Sequence, residues 1–289
     1  MVPKPQGILA LDIDGTLTDN PKSIPPPVVA YLEQQIEEGW SCLFITGRPF
    51  SVAAGGLAQL QATYWLAAMN GAAIVEMPKE RLLFACELPR SLLSLLDRIA
   101  EPLRCDYVIY GGYCDQDRCY WRPDRMTLSE RHYLEARSHF LEESWLSLTS
   151  WDGLPIDRYG AIKFFGEQLF CQQIAQAIDK EISLAAPLIA DPFRRSRCVL
   201  QLTDPSCHKG AALDHCLPFL PVQGPIIAAG DDWNDATLLA RSDLKLVVET
   251  APLALQKCAD RLVPPPCCNG IIAGLQWAIE QLQRQRRGL

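Results

Sequence analysis

The residues best placed to do chemistry are Asp12 and Asp14, which follow the apolar run Ile8-Leu9-Ala10-Leu11 and precede Gly15-Thr16. An apolar run that ends in two carboxylates and a glycine predicts a buried parallel strand whose C-terminal tip carries polar groups. Residues two apart on a strand share a face, so the carboxylates project together unless the chain turns at Gly15. Either way, two negative charges crowd into one crevice. Such crowding is costly without a cation, and a hard metal such as Mg2+ accepts one or two carboxylates while leaving room for phosphate oxygens. The pattern reads as a phosphate site. A calcium loop is the alternative, but the glycine and glutamate that an EF-hand needs are missing from their places.

Three more polar groups stand at the ends of predicted elements. Ser41-Cys42-Leu43-Phe44-Ile45-Thr46-Gly47-Arg48 is a second apolar strand ending in a hydroxyl and a glycine. Lys209 opens a helix that continues through Gly210-Ala211-Ala212-Leu213, and Asp231-Asp232-Trp233-Asn234-Asp235 follows the strand-like run from Pro225 to Gly230. Singly, each has a bland reading: Thr46-Gly47 as a strand end, Lys209 as a solvated charge, Asp231 to Asp235 as an acidic helix cap. In order, each at a strand or helix end, they read as one site. In that order they also resemble the four motifs of the haloacid dehalogenase superfamily, and Asn70-Gly71-Ala72 resembles a run frequent in its Cof-type branch, where it borders the active site. The resemblance spans nearly the whole chain. It departs at Cys207-His208, near Ala251 and over Pro264 to Cys268, all peripheral to the chemistry.

The resemblance implies a Mg2+-dependent phosphoric monoester hydrolase acting on a small phosphorylated metabolite such as a sugar phosphate. Asp12 would be the nucleophile and form an aspartyl-phosphate, and Asp14 would protonate the leaving oxygen and then deprotonate water. The metal would be held by the Asp12 carboxylate, the Asp14 backbone carbonyl and Asp231, with Asp235 orienting that shell. Thr46 can donate its hydroxyl to a phosphoryl oxygen, Gly47 lets backbone N–H groups approach, and Lys209 adds positive charge at a helix N-terminus. Asn234 is placed to reach metal-bound water or phosphate. Arg48 and Asn70 are open between substrate contact and loop structure. Two rivals are carried: a phosphosugar mutase of the phosphomannomutase kind, and a non-catalytic sugar-phosphate sensor. The intact Asp12, Asp14, Lys209 and Asp231 argue against the sensor.

Those residues need rigid elements behind them. From residue 7 to about 80, apolar strands alternate with helix-like segments, the pattern of a parallel sheet wound with helices. Pro25-Pro26-Pro27 can open a helix from Val28 to Glu38, which Gly39 ends, and Asn70-Gly71 signals a hairpin. Between 81 and 203 the pattern is mixed: helices at 91–101, 129–143 and 168–180, strands at 107–111, 119–122, 156–165 and 198–203. Alternation then returns, with a strand at 244–248, a helix at 251–259, an edge strand at 261–263 and a terminal helix from 270 to 282. The expected fold is α/β: a Rossmann-like parallel-sheet core over 1–80 and 204–289, interrupted by an inserted α/β cap over 81–203. The cap's position resembles that of the type IIB members of the superfamily. Tyr110, Tyr113, Tyr120 and Trp121 are expected either in its core or against a sugar, and Lys163, Arg194 and Arg195 as its surface charges.

With 289 residues, 48% apolar and 21% charged, the chain is ordinary for a globular protein and long enough for two domains. A net charge of −7 and a single basic cluster, Arg284 to Arg287, speak against nucleic-acid binding. No secretory or membrane-spanning stretch is expected, so the protein reads as cytoplasmic, monomeric or homodimeric. Its 12 cysteines read as free thiols. Cys207-His208 and His215-Cys216 lack the spacing of a structural zinc site, and Cys267-Cys268 reads as packing.

Overall fold

Gly7–Leu11 forms a strand (β1) buried along its whole length, as its unbroken apolar run predicts. The computed structural model describes residues 5–287, with the exception of Pro192 and Arg195. Helix Pro26–Glu37 (α1), strand Trp40–Ile45 (β2), helix Phe50–Gly56 (α2) and strand Tyr64–Ala68 (β3) follow. Pro25 caps α1 in an extended conformation and prolines fill its first turn, where a missing N–H is no loss. β1, β2 and β3 run parallel. A turn at Met69–Gly71 then sends the chain into Ala73–Met77 (β4), antiparallel to β3, which is the hairpin expected from Asn70-Gly71. Arg81–Ala85 (β5) adds another antiparallel strand to the same sheet.

The middle of the chain contributes strands Leu88–Pro89 (β6), Val108–Tyr110 (β7), Cys119–Trp121 (β8), Trp145–Ser147 (β9), Arg158–Tyr159 (β10), Ala161–Gly166 (β11), Leu188–Ala190 (β12) and Cys198–Leu202 (β13). Helices Leu93–Ala100 (α3), Leu128–Leu141 (α4) and Gln168–Asp179 (α5) lie among them. Six of these strands form a second sheet in the order β12-β13-β11-β7-β8-β9, and β6 pairs separately with β10. Strand alternation divides this sheet's side chains. Ile109, Tyr120, Ile162, Phe164, Leu200 and Leu202 pack with Leu93 and Leu96 of α3 and Ile174 and Ile178 of α5. The opposite face, with Val108, Tyr110, Cys119, Phe165 and Val199, packs with Tyr133 and Leu134 of α4. Tyr110, Tyr120 and Trp121 therefore belong to this region's interior.

The chain returns through helix Lys209–Cys216 (α6), strand Ile226–Gly230 (β14), helix Ala236–Leu239 (α7), strand Leu244–Val248 (β15), helix Leu253–Gln256 (α8), strand Arg261–Val263 (β16) and helix Gly270–Arg287 (α9). β14, β15 and β16 complete the large sheet, in the order β16-β15-β14-β1-β2-β3-β4-β5. Leu9, Leu11 and Phe44 face Val28 and Leu32 of α1 and Ile271 and Leu275 of α9. Ile8, Ala10, Leu43 and Ile45 face Ala212, Leu213 and Cys216 of α6 and Leu238 of α7. The sheet is thus covered on both sides, and its parallel strands all point their C-terminal ends the same way.

Several expectations need correction. The strand expected at 156–165 is two strands with different partners, broken at Gly160, where a Cβ would stand 2.9 Å from Met69 Sδ and 3.1 Å from Gly112 Cα. The helix expected at 251–259 shrinks to Leu253–Gln256, where Gln256 folds back and donates to the carbonyls of Glu249 and Ala251, each at 2.8 Å. The terminal helix runs on to Arg287 through a series of good helix formers, and Arg286 ties it to the Gln6 carbonyl at 2.6 Å.

Candidate active site

The candidate residues come together because neighbouring parallel strands end side by side. Asp12 follows β1, Thr46 follows β2, Asn70 lies in the turn after β3, and Asp231 follows β14, all at carboxyl ends of strands, where open α/β sheets bind ligands. Lys209 is the first residue of α6. A cavity with about 960 Å³ of unfilled space, counting its open mouth, has Asp12, Asp14, Gly47, Arg48, Asp231 and Asn234 on its wall.

Lys209 lies beneath the cavity floor, behind Asp12. Its ammonium, 1% exposed, donates to Asp12 Oδ1 and, at 2.5 Å, to Asp235 Oδ1. Burial works against that charge, but Asp12 and Asp235 hold the ammonium above its ordinary pKa. Asp235 is fully buried, and its other oxygen accepts the N–H groups of Asp231 at 2.9 Å and Asp232 at 3.0 Å, so one carboxylate fixes both the loop and the lysine. Asp231 reaches back toward Gly15, whose φ is +80° and where a Cβ would stand 2.0 Å from Asp231 Oδ2. Only glycine fits there.

A divalent cation suits this floor. Asp12, Asp231 and Asp235 each place a carboxylate oxygen within 4.8 Å of the others. Asp12 Oδ2 is buried with no hydrogen-bond partner among the described residues. Burial, opposed by Lys209 and aided by Asp235 and Asp14, pushes the Asp12 carboxyl up to about 7. Burial and the charges of Asp12 and Asp235 push Asp231 up to about 9. A cation would reverse both, and an all-oxygen donor set calls for a hard one. The Asp14 carboxylate is not in this group. Arg48 grips it with two hydrogen bonds, Nε to Oδ2 at 2.7 Å and Nη2 to Oδ1 at 2.5 Å, and anchors itself on the Pro21 carbonyl at 2.7 Å.

Thr46 is fully buried, and its hydroxyl oxygen accepts the Arg48 N–H at 3.1 Å, which leaves its proton to be donated. Asn70 sits just behind Gly47, its Oδ1 3.7 Å from where a Gly47 Cβ would be, with both amide atoms buried and without a partner among the described residues. The far wall comes from the middle segment: Arg137 of α4, Lys163 of β11, Ile189 and Asp191. Lys163 is not the surface charge expected. It is 3% exposed, donates to the Gly47 carbonyl at 3.2 Å and lies 4.4 Å above the Tyr110 ring. Burial, with Arg137 nearby, lowers it to about 8. The signal was a lysine within the apolar strand Ile162 to Phe165. Arg137, which pairs with Glu143 at 2.7 Å and Asp191 at 3.4 Å, likewise follows Tyr133 and Leu134 on the buried stripe of its helix. Arg194 is exposed, and Arg195 lies outside the described residues.

Comparison with known proteins agrees with this geometry. A profile of the haloacid dehalogenase-like hydrolases matches residues 9–275. The chain is 23% identical over 248 residues, 84% of each chain, to the HMP-PP phosphatase of Yersinia pseudotuberculosis. Among solved structures, a haloacid dehalogenase-like hydrolase from Bacteroides thetaiotaomicron aligns with a TM-score of 0.74 at 17% identity, covering 96% of this chain and 100% of that one. A protein from Streptococcus mutans aligns at 0.75 and 19%, covering 96% and 98%. A sugar phosphatase of subclass IIB aligns at 0.73 and 17%, covering 95% and 100%. With the family profile matched over nearly its whole length, this chain belongs to the haloacid dehalogenase-like hydrolases and has the α/β fold of their subclass IIB phosphatases.

Proposed function

We propose that this hydrolase is a Mg2+-dependent phosphatase that cleaves a small phosphorylated metabolite, of the sugar phosphate class, by way of a phosphoryl group carried on Asp12. The observation that carries this reading is the state of Asp12: one oxygen is tied to Lys209, the other is buried with no hydrogen-bond partner among the described residues, and the carboxylate lies close to those of Asp231 and Asp235. Phosphate monoesters resist hydrolysis so strongly that enzymes accelerate it by up to ~10²¹-fold, and a covalent intermediate divides that barrier in two. Asp12 attacks phosphorus, a new O–P bond forms as the bond to the leaving oxygen breaks, and Asp14 supplies that oxygen's proton. Water then attacks the aspartyl-phosphate, Asp14 takes its proton, and phosphate leaves Asp12 free. Asp14 starts as the carboxylate gripped by Arg48; the incoming phosphate competes for that arginine, and Asp14, so released, takes a proton from solvent before the first transfer and regains it from water in each later cycle.

Thr46, the backbone beside Gly47, and Lys209 stabilise charge on the transferring phosphoryl oxygens, with Asn234 at the edge of the cavity. Asp12, Asp231 and the Asp14 carbonyl would hold Mg2+, oriented by Asp235. The ion would neutralise charge on the phosphoryl group. We read residues 1–80 and 204–289 as the catalytic core and 81–203 as the cap, whose Lys163 and Arg137 face the substrate's leaving group. The relatives named above, a sugar phosphatase and HMP-PP phosphatases, support a phosphorylated metabolite as substrate. No helix among the described residues is long and apolar enough to cross a membrane, and we take the enzyme to be cytoplasmic, a monomer or homodimer. The test is phosphate release across a panel of sugar phosphates and HMP-PP, with Mg2+ and with EDTA. Hydrolysis only with Mg2+ is expected, and undiminished hydrolysis in EDTA would remove the metal from the reaction.

A further inference from the structure

A second set of metal-ligating atoms lies outside the cavity, where the chain passes between the two sheets. Cys86 directly follows β5, the last strand of the large sheet before the first crossing, with its N–H donating to the Ala72 carbonyl at 2.8 Å. Asp204 and Cys207 stand on the return crossing, between β13 and α6. Cys207 is 1% exposed and held by its backbone, its N–H bonded to the Asp204 carbonyl at 2.8 Å and its own carbonyl to Thr203 Oγ1 at 2.9 Å. One ligating atom from each of Cys86, Asp204 and Cys207 lies within 4.8 Å of the other two. Ser206 closes the group, its hydroxyl 3.5 Å from Cys86 Sγ and 2.7 Å from Asp204 Oδ1.

In a tetrahedral site with metal–sulfur bonds of about 2.3 Å, donor atoms stand about 3.8 Å apart, so small side-chain adjustments close this one. The donors also select the ion. The cavity floor offers oxygen alone, whereas two sulfurs and a carboxylate suit a softer, thiophilic cation. We propose that Cys86, Asp204 and Cys207 bind one divalent cation of the zinc class, with the Ser206 hydroxyl or water as fourth ligand, as a clip between the two crossings. The two thiol protons pass to solvent on binding and nothing is oxidised. Cys86 and Ser206 are 120 residues apart in sequence, so the clip closes a very long loop, and it pins the segment that leads into α6 and Lys209. The site does not depend on the phosphatase reading.

The test uses the reduced, full-length protein saturated with Mg2+, so that the oxygen site is filled. Co2+ titration should give a thiolate-to-cobalt charge-transfer band that saturates at one equivalent, and Zn2+ should abolish it. Zinc counted after desalting should fall from one per chain to none in Cys86→Ser/Cys207→Ser. It should be unchanged in Cys267→Ser/Cys268→Ser, an exposed pair whose sulfurs stand 3.8 Å apart. Should the double variant not fold, Cys86→Ser alone, in the half-buried crossing, must lower Zn2+ affinity at least tenfold, as must Asp204→Asn. Wild-type protein without the band, or zinc loss that follows Cys267 and Cys268 instead, would overturn the proposal. So would a Cys86–Cys207 disulfide forming with glutathione disulfide while bound zinc is present in equal amount.

Discussion

Replacing Lys163 by Met should reverse the sign of its effect on stability between neutral and alkaline pH. Lys163 is buried with no ion pair of its own among the described residues, and its folded value of about 8 stands against an ordinary 10.5. At about 1.4 kcal/mol per pH unit, that gap corresponds to about 3 kcal/mol. Below pH 8 the lysine is charged in both folded and unfolded chains, and the full burial cost is present. Between about 8 and 10.5 the unfolded chain holds more protons than the folded one, so stability contributed by this group rises with pH. Met carries no such proton. It removes the cost but loses the hydrogen bond to Gly47 O, worth about 1 kcal/mol. Lys163→Met should therefore be about 2 kcal/mol more stable than wild type at pH 7 and about 1 kcal/mol less stable near pH 11. The charged and titratable groups that face Lys163 are Arg137, Glu143, Asp191, Cys119 and Asp117. Urea unfolding of both at pH 7, 8, 9, 10 and 11 measures it, and a difference that stays flat across that range would refute the buried-ammonium reasoning.

Three further outcomes follow from the floor of the cavity. Lys209→Met leaves Asp12 and Asp235 without their cation, and should cost about 3–5 kcal/mol in Mg2+-free buffer by urea unfolding, with Mg2+ restoring part of it. Gly15→Ala pushes against Asp231, so it should weaken Mg2+ affinity at least about tenfold while the fold is retained by circular dichroism. Arg48→Lys loses the two-pronged hold on Asp14 and the fork that the incoming phosphate competes for, and should lower kcat/KM by about 10–100-fold, measured by steady-state phosphate release.

What could be read in the sequence is what lies close together in the chain. β1 and β2 announce themselves as apolar runs ending in polar tips, and Pro25-Pro26-Pro27 and Asn70-Gly71 mark a helix start and a hairpin through local backbone preference alone. Asp12, Thr46, Lys209 and Asp231 could be suspected together because each ends an element, and parallel strands of one sheet bring such ends together. The cavity's far wall was not legible. Lys163 reaches the Gly47 carbonyl 116 residues away, which depends on β11 pairing with β7 and β13 and on how the two sheets face each other. The grip of Arg48 on Asp14 and the approach of Cys86 to Cys207 are likewise tertiary, and no spacing along the chain encodes them.

The most direct test of the central claim is to look for phosphate on Asp12. A single turnover with a ³²P-labelled sugar phosphate in Mg2+, quenched in acid within milliseconds, should leave label on the protein, and peptide mapping should place it on Asp12. The label should be absent from Asp12→Asn, which should remain folded. Product formation in that turnover with no protein-bound phosphate at any time, or an Asp12→Asn variant that hydrolyses at the wild-type rate, would contradict the account.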